Sequence, residues 1–340
     1  MKPVVRIYKS IAITCKLIIA LFFTQACSKY QFNHAFENIP ETGVAVPLSG
    51  TISIDQTGGH LQGIQLYDKQ KHKYLFMSGS SSDVAYMVKA QLDGSARILG
   101  TDSLLLDPYR HAGGFQIYDQ FLAVGIEDNK RRNTSRVMVY DLGKSEGVWS
   151  DPLQVITREG EYERVTAGAV GITKLDDQFL IAVANWDSRN LDFYFCEEDK
   201  FIEGEKGFRL IGSLELARIS RENWSDTIWH SYQNINLFTG SGNQLYLMGF
   251  ATNENGNNVA DLYKLDIDKS DIERLNQFNG SVETILIKKI STRTFKLIGN
   301  TSFRSGAGTF RNDNGLLSIF VCPEHIDQNS KVGVYSMDGY

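Results

Sequence analysis

Long amphipathic helical patterns are nearly absent from this sequence, and low-complexity tracts do not occur in it. The 340 residues are instead divided into short apolar runs, rich in β-branched and aromatic residues and bounded by turn formers. Such runs are typical of β-strands, and a chain of this length can bury a large core. The sequence therefore predicts an all-β protein.

The sequence also lacks the short motifs that identify common catalytic sites. It contains no nucleophile elbow, no phosphate-binding loop, no Cys-x-x-Cys pair and no dinucleotide fingerprint. The motifs therefore name no reaction. Binding and catalysis both stay open at this point.

Cysteine is scarce, with four residues in the whole chain. Cys15 and Cys27 lie in the N-terminal segment, which leaves Cys196 and Cys322 in the rest of the sequence. Both end apolar runs, a position that suits small buried side chains. The repeats described below place them on non-adjacent blades, so we expect two free thiols, with a disulfide in an oxidising envelope as the alternative.

The N-terminal segment combines a basic start with the apolar run LIIALFF and the pair Ala26-Cys27. This plan is typical of a lipoprotein signal, and the apolar run is much shorter than the ~20 residues that a membrane span needs. We predict a signal peptide over residues 1–26 and lipid attachment at Cys27, with an ordinary signal peptide as the alternative. The expected location is the cell envelope, at the outer membrane or the cell surface.

Acidic residues outnumber basic ones, and the net charge is -5. Residues 1–26 carry four basic and no acidic side chains, so their removal makes the mature chain more acidic still. An acidic chain is a poor match for the phosphate backbone of nucleic acid. We therefore expect no nucleic-acid partner. The expected partners are the membrane, through the lipid anchor, and a polysaccharide or an envelope protein.

One phrase recurs along the chain, and its clearest copy runs from His111 to Leu142. That copy reads as three antiparallel strands, with a two-residue turn at Asp119-Gln120. Aligned copies recur at intervals of about fifty to seventy-five residues, which indicates a propeller. The sequence therefore predicts five blades of four antiparallel strands. Their opening strands begin at His60, His111, Ala167, His230 and Ser305.

The fifth copy reaches Tyr340 without a fourth strand, whereas residues 50–54 form a strand-like run that has no partner. A sheet edge left open invites aggregation, and docking this run as the outer strand of the last blade closes the ring. The predicted organisation is therefore a tether over residues 27–48 and a five-bladed propeller over residues 49–340, closed by an N-terminal strand.

Two motifs carry a resemblance to a known family. They are the blade opening His-x-Gly-Gly-x-Gln, from His111 to Gln116, and the phrase Trp-x-x-x-Gln-Asn-Ile-Asn, from Trp229 to Asn236. In these motifs the chain resembles secreted five-bladed propellers of bacteria and fungi, over essentially residues 50–340. The resemblance implies the fold and a secreted setting, and it implies no activity.

Loops that lead into the innermost strands of a propeller converge on one face, which is the usual ligand site. Arg110, Arg164 and Arg304 occupy equivalent positions on three such loops and could bind a carboxylate or sulfate. The alternative is that they form ion pairs between blades. The candidate ligand-binding residues are Arg110, His111, Arg164, Trp186, His230, Arg304 and His325.

Histidines and carboxylates on the same loops give two further hypotheses. A channel metal on His60, His111 and His230 is conceivable, but they show no local ligand spacing, so we expect hydrogen bonding within the fold and no cofactor. The loop carboxylates could serve glycoside hydrolysis, and aromatic side chains could stack on sugar rings. The carboxylates are Glu127, Asp128, Asp187 and Glu324, and the aromatic residues are Trp186, Trp224, Trp229 and Tyr232.

The sequence thus favours an envelope lipoprotein propeller that binds an extracellular ligand, with an anionic polysaccharide as the preferred ligand. The alternative is a polysaccharide-active hydrolase or lyase that uses loop carboxylates or histidines at the mouth of the channel. Binding is preferred because nothing in the sequence pairs a nucleophile or an acid with a group that orients it.

Overall fold

A computed structural model describes residues 31–69, 72–144, 149, 151–204, 207–267 and 285–339. The described chain is mostly strand, with two short α-helices, α1 (Gln31–Glu37) and α2 (Glu198–Glu203). This confirms the predicted all-β character. The predicted signal peptide and Cys27 lie outside the described residues. Among the helices of the described ranges, none is long and apolar enough to span a membrane.

The strands of the described chain form five four-stranded antiparallel units. Unit 1 contains β2 (Leu61–Lys69), β3 (His72–Ser80), β4 (Val84–Asp93) and β5 (Ser95–Leu106). Unit 2 contains β6 (His111–Tyr118), β7 (Phe121–Glu127), β8 (Thr134–Asp141) and β9 (Gln154–Glu159). Unit 3 contains β10 (Ala169–Leu175), β11 (Gln178–Ala184), β12 (Asn190–Glu197) and β13 (Arg209–Glu215).

The remaining units complete the sequence order. Unit 4 contains β14 (Asn234–Thr239), β15 (Leu245–Thr252), β16 (Asn258–Ile267) and β17 (Ile285–Phe295). Unit 5 contains β18 (Ala307–Arg311), β19 (Leu317–Val321), β20 (Lys331–Tyr335) and β1 (Val44–Ser49). The first strands β2, β6, β10, β14 and β18 lie beside one another and are called the inner strands.

The side chain of Gln116 connects three of the inner strands. Its Oε1 accepts hydrogen bonds from the amides of Ile172 (2.9 Å) and Leu237 (2.7 Å), and its Nε2 donates to the Leu237 carbonyl (2.8 Å). Close approach at this level requires glycine, because a Cβ on Gly113 would lie 2.2 Å from the carbonyl oxygen of Gly168. The motif from His111 to Gln116 therefore serves the packing of the inner strands.

The N-terminal strand lies six residues earlier than predicted. Residues 50–54 are not a strand, whereas β1 pairs antiparallel with β20, from Val44 opposite Val334, and parallel with β5 at Leu48. Alternation within β1 buries Val46 and Leu48 in the core of units 1 and 5. Part of the predicted tether is therefore a structural strand. Pro47 is the reason that the sequence predicts a tether here, because proline is rare in strands. A proline is tolerated, however, at a sheet position that donates no hydrogen bond.

Helix α1 also lies in the stretch predicted as a tether. Phe32 stacks on Tyr246, with ring centroids 4.7 Å apart and planes at 17°, and Phe36 and Ile39 are buried. The guanidinium of Arg293 donates to the carbonyls of Phe36 (2.7 Å) and Ile39 (2.5 Å). The helix is therefore packed against units 4 and 5 as part of the fold.

The contribution of β1 to stability can be measured with a single side-chain substitution. Replacing Leu48, which is 3% exposed, with Ala should lower the free energy of unfolding by about 2–4 kcal/mol, because a buried leucine leaves a cavity. Val44→Ala is the control on the same strand: Val44 is 55% exposed, so its loss should change stability by less than about 0.5 kcal/mol. Equal effects in urea denaturation would contradict the placement of β1.

Candidate functional site

A cavity of about 400 Å³, here called the front cavity, opens where the inner strands begin. A second cavity of about 680 Å³, the rear cavity, opens where they end. The front cavity lies on the face that the sequence predicted as the ligand site. Its lining includes the side chains described next, and it differs from the rear cavity in containing a buried carboxylate.

Glu127, the last residue of β7, is completely buried in the wall of the front cavity. Its Oε2 accepts a hydrogen bond from the amide of Ala167 (2.7 Å). Its Oε1 lies 3.3 Å from Nδ1 of His111, and neither atom has a hydrogen-bond partner among the described residues. The two atoms are both buried and face each other, so they form an ion pair when His111 is protonated.

A chain of polar side chains forms the floor of the front cavity. Burial lowers the pKa of His60, which favours its neutral form. Nδ1 of His60 contacts the carbonyl of Leu61 (2.6 Å) and so carries the proton, which leaves Nε2 to accept from Nε2 of Gln62 (3.2 Å). Oε1 of Gln62 in turn accepts from the amide of Gln233. The floor therefore presents fixed amide and imidazole groups.

Trp186 and Asp187 form the outer wall, in a one-turn 3₁₀ segment that follows β11. The backbone amide of Trp186 donates to Oγ1 of Thr166 (2.7 Å), and the guanidinium of Arg132 lies 3.6 Å from the centroid of the indole ring. Asp187 accepts from Arg189 (2.7 Å) and from the hydroxyl of Ser231 (3.0 Å). Both side chains of the wall are thus held in place.

The structure brings three of the seven predicted ligand-binding residues together, since His111, Trp186 and Arg304 line the front cavity. Arg110 instead contacts Asp107 (3.2 Å) and the carbonyl of Ser82. These contacts lie outside the lining of the cavity.

Two predicted histidines also have partners elsewhere. Nε2 of His325 lies 3.0 Å from the carbonyl oxygen of Gly59, and the ring of His230 stands 6.4 Å from that of Tyr232. Of the three histidines considered for a metal, His60 and His111 line the cavity and His230 does not. Across the described ranges, no group of three or more His, Cys, Asp or Glu side chains is placed to hold a metal ion.

Arg164, in the loop between β9 of unit 2 and β10 of unit 3, forms an ion pair with Asp192 of β12 rather than a ring with the other two arginines. Its guanidinium donates two hydrogen bonds of 2.6 Å to the carboxylate of Asp192, which Arg158 also contacts at 2.8 Å. Burial alone would raise the pKa of Asp192, but the hydrogen bonds from Arg164 and the charge of Arg158 hold it below its usual value. Because Arg158 belongs to unit 2 and Asp192 to unit 3, these contacts join two units, as in the alternative of ion pairs between blades.

The predicted carboxylates divide in the same way. Glu127 and Asp187 line the front cavity. Asp128 accepts from the backbone amides of Lys130 and Arg131, both at 2.9 Å, and so shapes a loop. The backbone carbonyl of Glu324 accepts from the amide of Leu61, and its side chain does not line the cavity.

The aromatic candidates are mostly packed within unit 4. Trp229 lies against Tyr232 and Tyr263, with ring centroids 4.9 Å away in both cases, and Trp224 lies 5.5 Å from Tyr263. Tyr232 also contributes to the cavity lining. Trp186 is therefore the predicted tryptophan that lines the front cavity, with Arg132 already lying over one side of its ring. Sequence reasoning missed Gln62 and Gln233, although both stand in or beside the repeated blade openings.

No protein family and no curated protein matches this sequence. Solved structures do match at low identity. The catalytic domain of a GH62 α-L-arabinofuranosidase from Coprinopsis cinerea is 10% identical, with a TM-score of 0.47, over 88% of this chain and 98% of that one. An α-L-arabinofuranosidase from Podospora anserina, solved with cellotriose, gives 10% and 0.48 over 88% and 98%.

A thermostable family-43 glycoside hydrolase is 11% identical, with a TM-score of 0.43, over 85% of this chain and 95% of that chain. The structural neighbours are thus carbohydrate-active hydrolases. Likenesses at this distance carry no argument about the reaction.

The role of Arg164 can be separated from ligand binding. Arg164→Ala should lower the free energy of unfolding by about 2 kcal/mol, because charge-assisted hydrogen bonds to a buried carboxylate are lost. Arg164 does not line the front cavity, so the binding of a ligand there, per folded molecule, should not change. The exposed Arg304 is the matched control, since Arg304→Ala should leave the melting temperature unchanged. A stable Arg164→Ala protein would contradict the structural role.

Proposed function

We propose that the chain is a five-bladed propeller whose blades are the five units, closed by β1. The support is that the inner strands are mutual neighbours and that β1 completes unit 5 while contacting β5 of unit 1. In this arrangement the loops of all five blades surround the front cavity. A ligand bound there touches residues from several blades at once.

We propose further that the front cavity binds one saccharide unit of a polysaccharide and hydrolyses the glycosidic bond. The observation that carries this proposal is the carboxyl of Glu127, buried in the wall of the cavity with its Oε1 3.3 Å from Nδ1 of His111. Glycoside hydrolysis requires two carboxyl groups beside the scissile bond, and Asp187 is the second one in this cavity.

The two carboxyl groups have different surroundings and therefore different roles. Glu127 is enclosed by protein and adjoins an imidazole that can return a proton, which suits the acid that protonates the leaving oxygen. Asp187 is exposed to water, which suits the base that accepts a proton as water attacks the anomeric carbon. His111 acts as the group that reprotonates Glu127 after each turnover.

Substrate recognition in this proposal uses the floor and the outer wall. The amides of Gln62 and Gln233 and the ring of His60 supply donors and acceptors for sugar hydroxyls. Trp186 supplies a flat apolar surface for a sugar ring. Arg304, whose side chain has no ion-pair partner among the described residues, would bind a carboxylate or sulfate of an anionic polysaccharide.

The hydrolase proposal is tested by comparing carboxamide variants with the wild type. Glu127→Gln and Asp187→Asn should each lower the rate of reducing-end release from a responsive polysaccharide at least about 100-fold, since each removes a proton-transfer group. Binding measured by calorimetry should change less than tenfold. Glu161→Gln, on an exposed loop near the same face, is the control and should keep full activity.

A second function, binding without cleavage, is favoured by one observation. Asp187 already accepts from Arg189 and Ser231, which leaves it less free to act as a base. A wild type that binds polysaccharides but releases neither reducing ends nor unsaturated products would support this second function and contradict the hydrolase proposal.

We also propose that the protein is a lipoprotein of the cell envelope, acylated at Cys27. The support is the basic, apolar and Ala-Cys order of the N-terminal sequence. Cys27→Ala should move the protein from the membrane fraction to the soluble fraction and abolish incorporation of a labelled lipid precursor. A wild type that takes up no label would contradict the anchor, whereas Cys322→Ala should leave the label in place because Cys322 is buried.

A further inference from the structure

Helix α1 begins at the rear of the molecule, on the side opposite the proposed active site. Phe32 lies 5.0 Å from Phe238 and 4.7 Å from Tyr246, ring centroid to ring centroid, and these two residues flank the turn between β14 and β15. Arg311 lies 5.7 Å from the ring of Phe32. Because Phe238 and Arg311 also line the rear cavity, the helix starts beside that cavity.

The helix cannot swing away from this position without breaking core contacts. Phe32, Phe36 and Ile39 are each at most 4% exposed. Past the helix, the carbonyl of Glu41 accepts from the backbone amide of Lys296 (2.9 Å), and β1 follows. Helix and strand together fix the path of the chain from its first described residue.

In sequence, the proposed lipid attachment site is close to the first described residue, Gln31. Cys27 is four residues before Gln31, and a fully extended chain covers at most ~3.6 Å per residue. The segment that connects them, here called the leash, is therefore at most about 14 Å long. The inner strand β6 has eight residues at ~3.3 Å each, which separates the front from the rear by roughly 25 Å. The leash is therefore shorter than the molecule is deep.

We propose that the lipid anchor holds the rear cavity toward the membrane and points the front cavity away from it. This inference rests on the proposed acylation of Cys27 and is independent of whether the front cavity cleaves its ligand. It implies that the ligand comes from the aqueous side as a soluble or cell-wall polymer. A headgroup in the same membrane could not reach the front cavity.

The side chains around the rear cavity carry no net charge that would draw it to an anionic lipid surface. Three acidic side chains are balanced by three basic ones at this end, namely Asp68, Asp119 and Asp313 against Arg311, Lys69 and Lys73. With charges of both signs so close together, the rear face should lie near the membrane without inserting into it. The orientation then depends on the short leash, and lengthening the leash should abolish it.

A pair of fluorescent labels tests this orientation. A keto amino acid that carries an oxime-linked fluorophore is placed at Asp313 on the rear rim or at Asn255 in the β15–β16 loop of the front face, in the full chain reconstituted into vesicles. Nitroxide-labelled lipid headgroups should quench the label at position 313 at least twofold more than the label at position 255. Equal quenching, or stronger quenching at position 255, would overturn the proposal.

Two controls separate the leash from the anchor. Insertion of twelve Gly and Ser residues between Tyr30 and Gln31 should make quenching at the two positions equal, and a difference that persists would overturn the leash argument. If the native chain is not acylated, the chain that starts at Cys27 can be coupled to maleimide lipid, because Cys196 and Cys322 are buried. The same rear-to-front difference is expected there, and its absence would overturn the orientation whatever the native anchor.

Discussion

The close packing of the inner strands at Gln116 is the constraint on which the rest of the structure depends. The side chain of Gln116 in unit 2 accepts hydrogen bonds from the amides of Ile172 in unit 3 and Leu237 in unit 4. On the same strand, Gly113 lies so close to Gly168 that there is no room for a Cβ. Each polar group there is paired in a place that water hardly reaches, so a substitution would leave several buried groups unpaired. The inner strands lie against one another at this level, and the front cavity opens where they begin.

Much of the fold follows from local patterns that can be read in the sequence. The five blade openings predicted from His60 to Ser305 correspond to the five inner strands, because each hairpin combines alternating residues with its own turn chemistry. The strand β1 was misplaced because its partners are distant in sequence and Pro47 masked its alternation. Local signals specify hairpins, whereas pairing between the two ends of the chain is decided by packing.

The site was predictable in outline and not in its polar partners. Equivalent loop positions suggested that Arg110, Arg164 and Arg304 would meet, but equivalence of position does not fix the direction of a long side chain. The guanidinium of Arg164 instead forms an ion pair with Asp192 of β12. The pairing of His111 with Glu127 could have been predicted from the hairpin register, since the two residues are opposite each other in the β6–β7 ladder.

The pairing of β1 with β20 has a consequence for how the chain matures. Val44 faces Val334, so this ladder joins residues from nearly opposite ends of the sequence. Contacts of such long sequence separation form slowly and late, because a large loop has to close first. During synthesis β1 has only its short parallel pairing with β5 until β20, its antiparallel partner, is made. Unit 5 is therefore completed only after the C-terminal strand β20 has been synthesised.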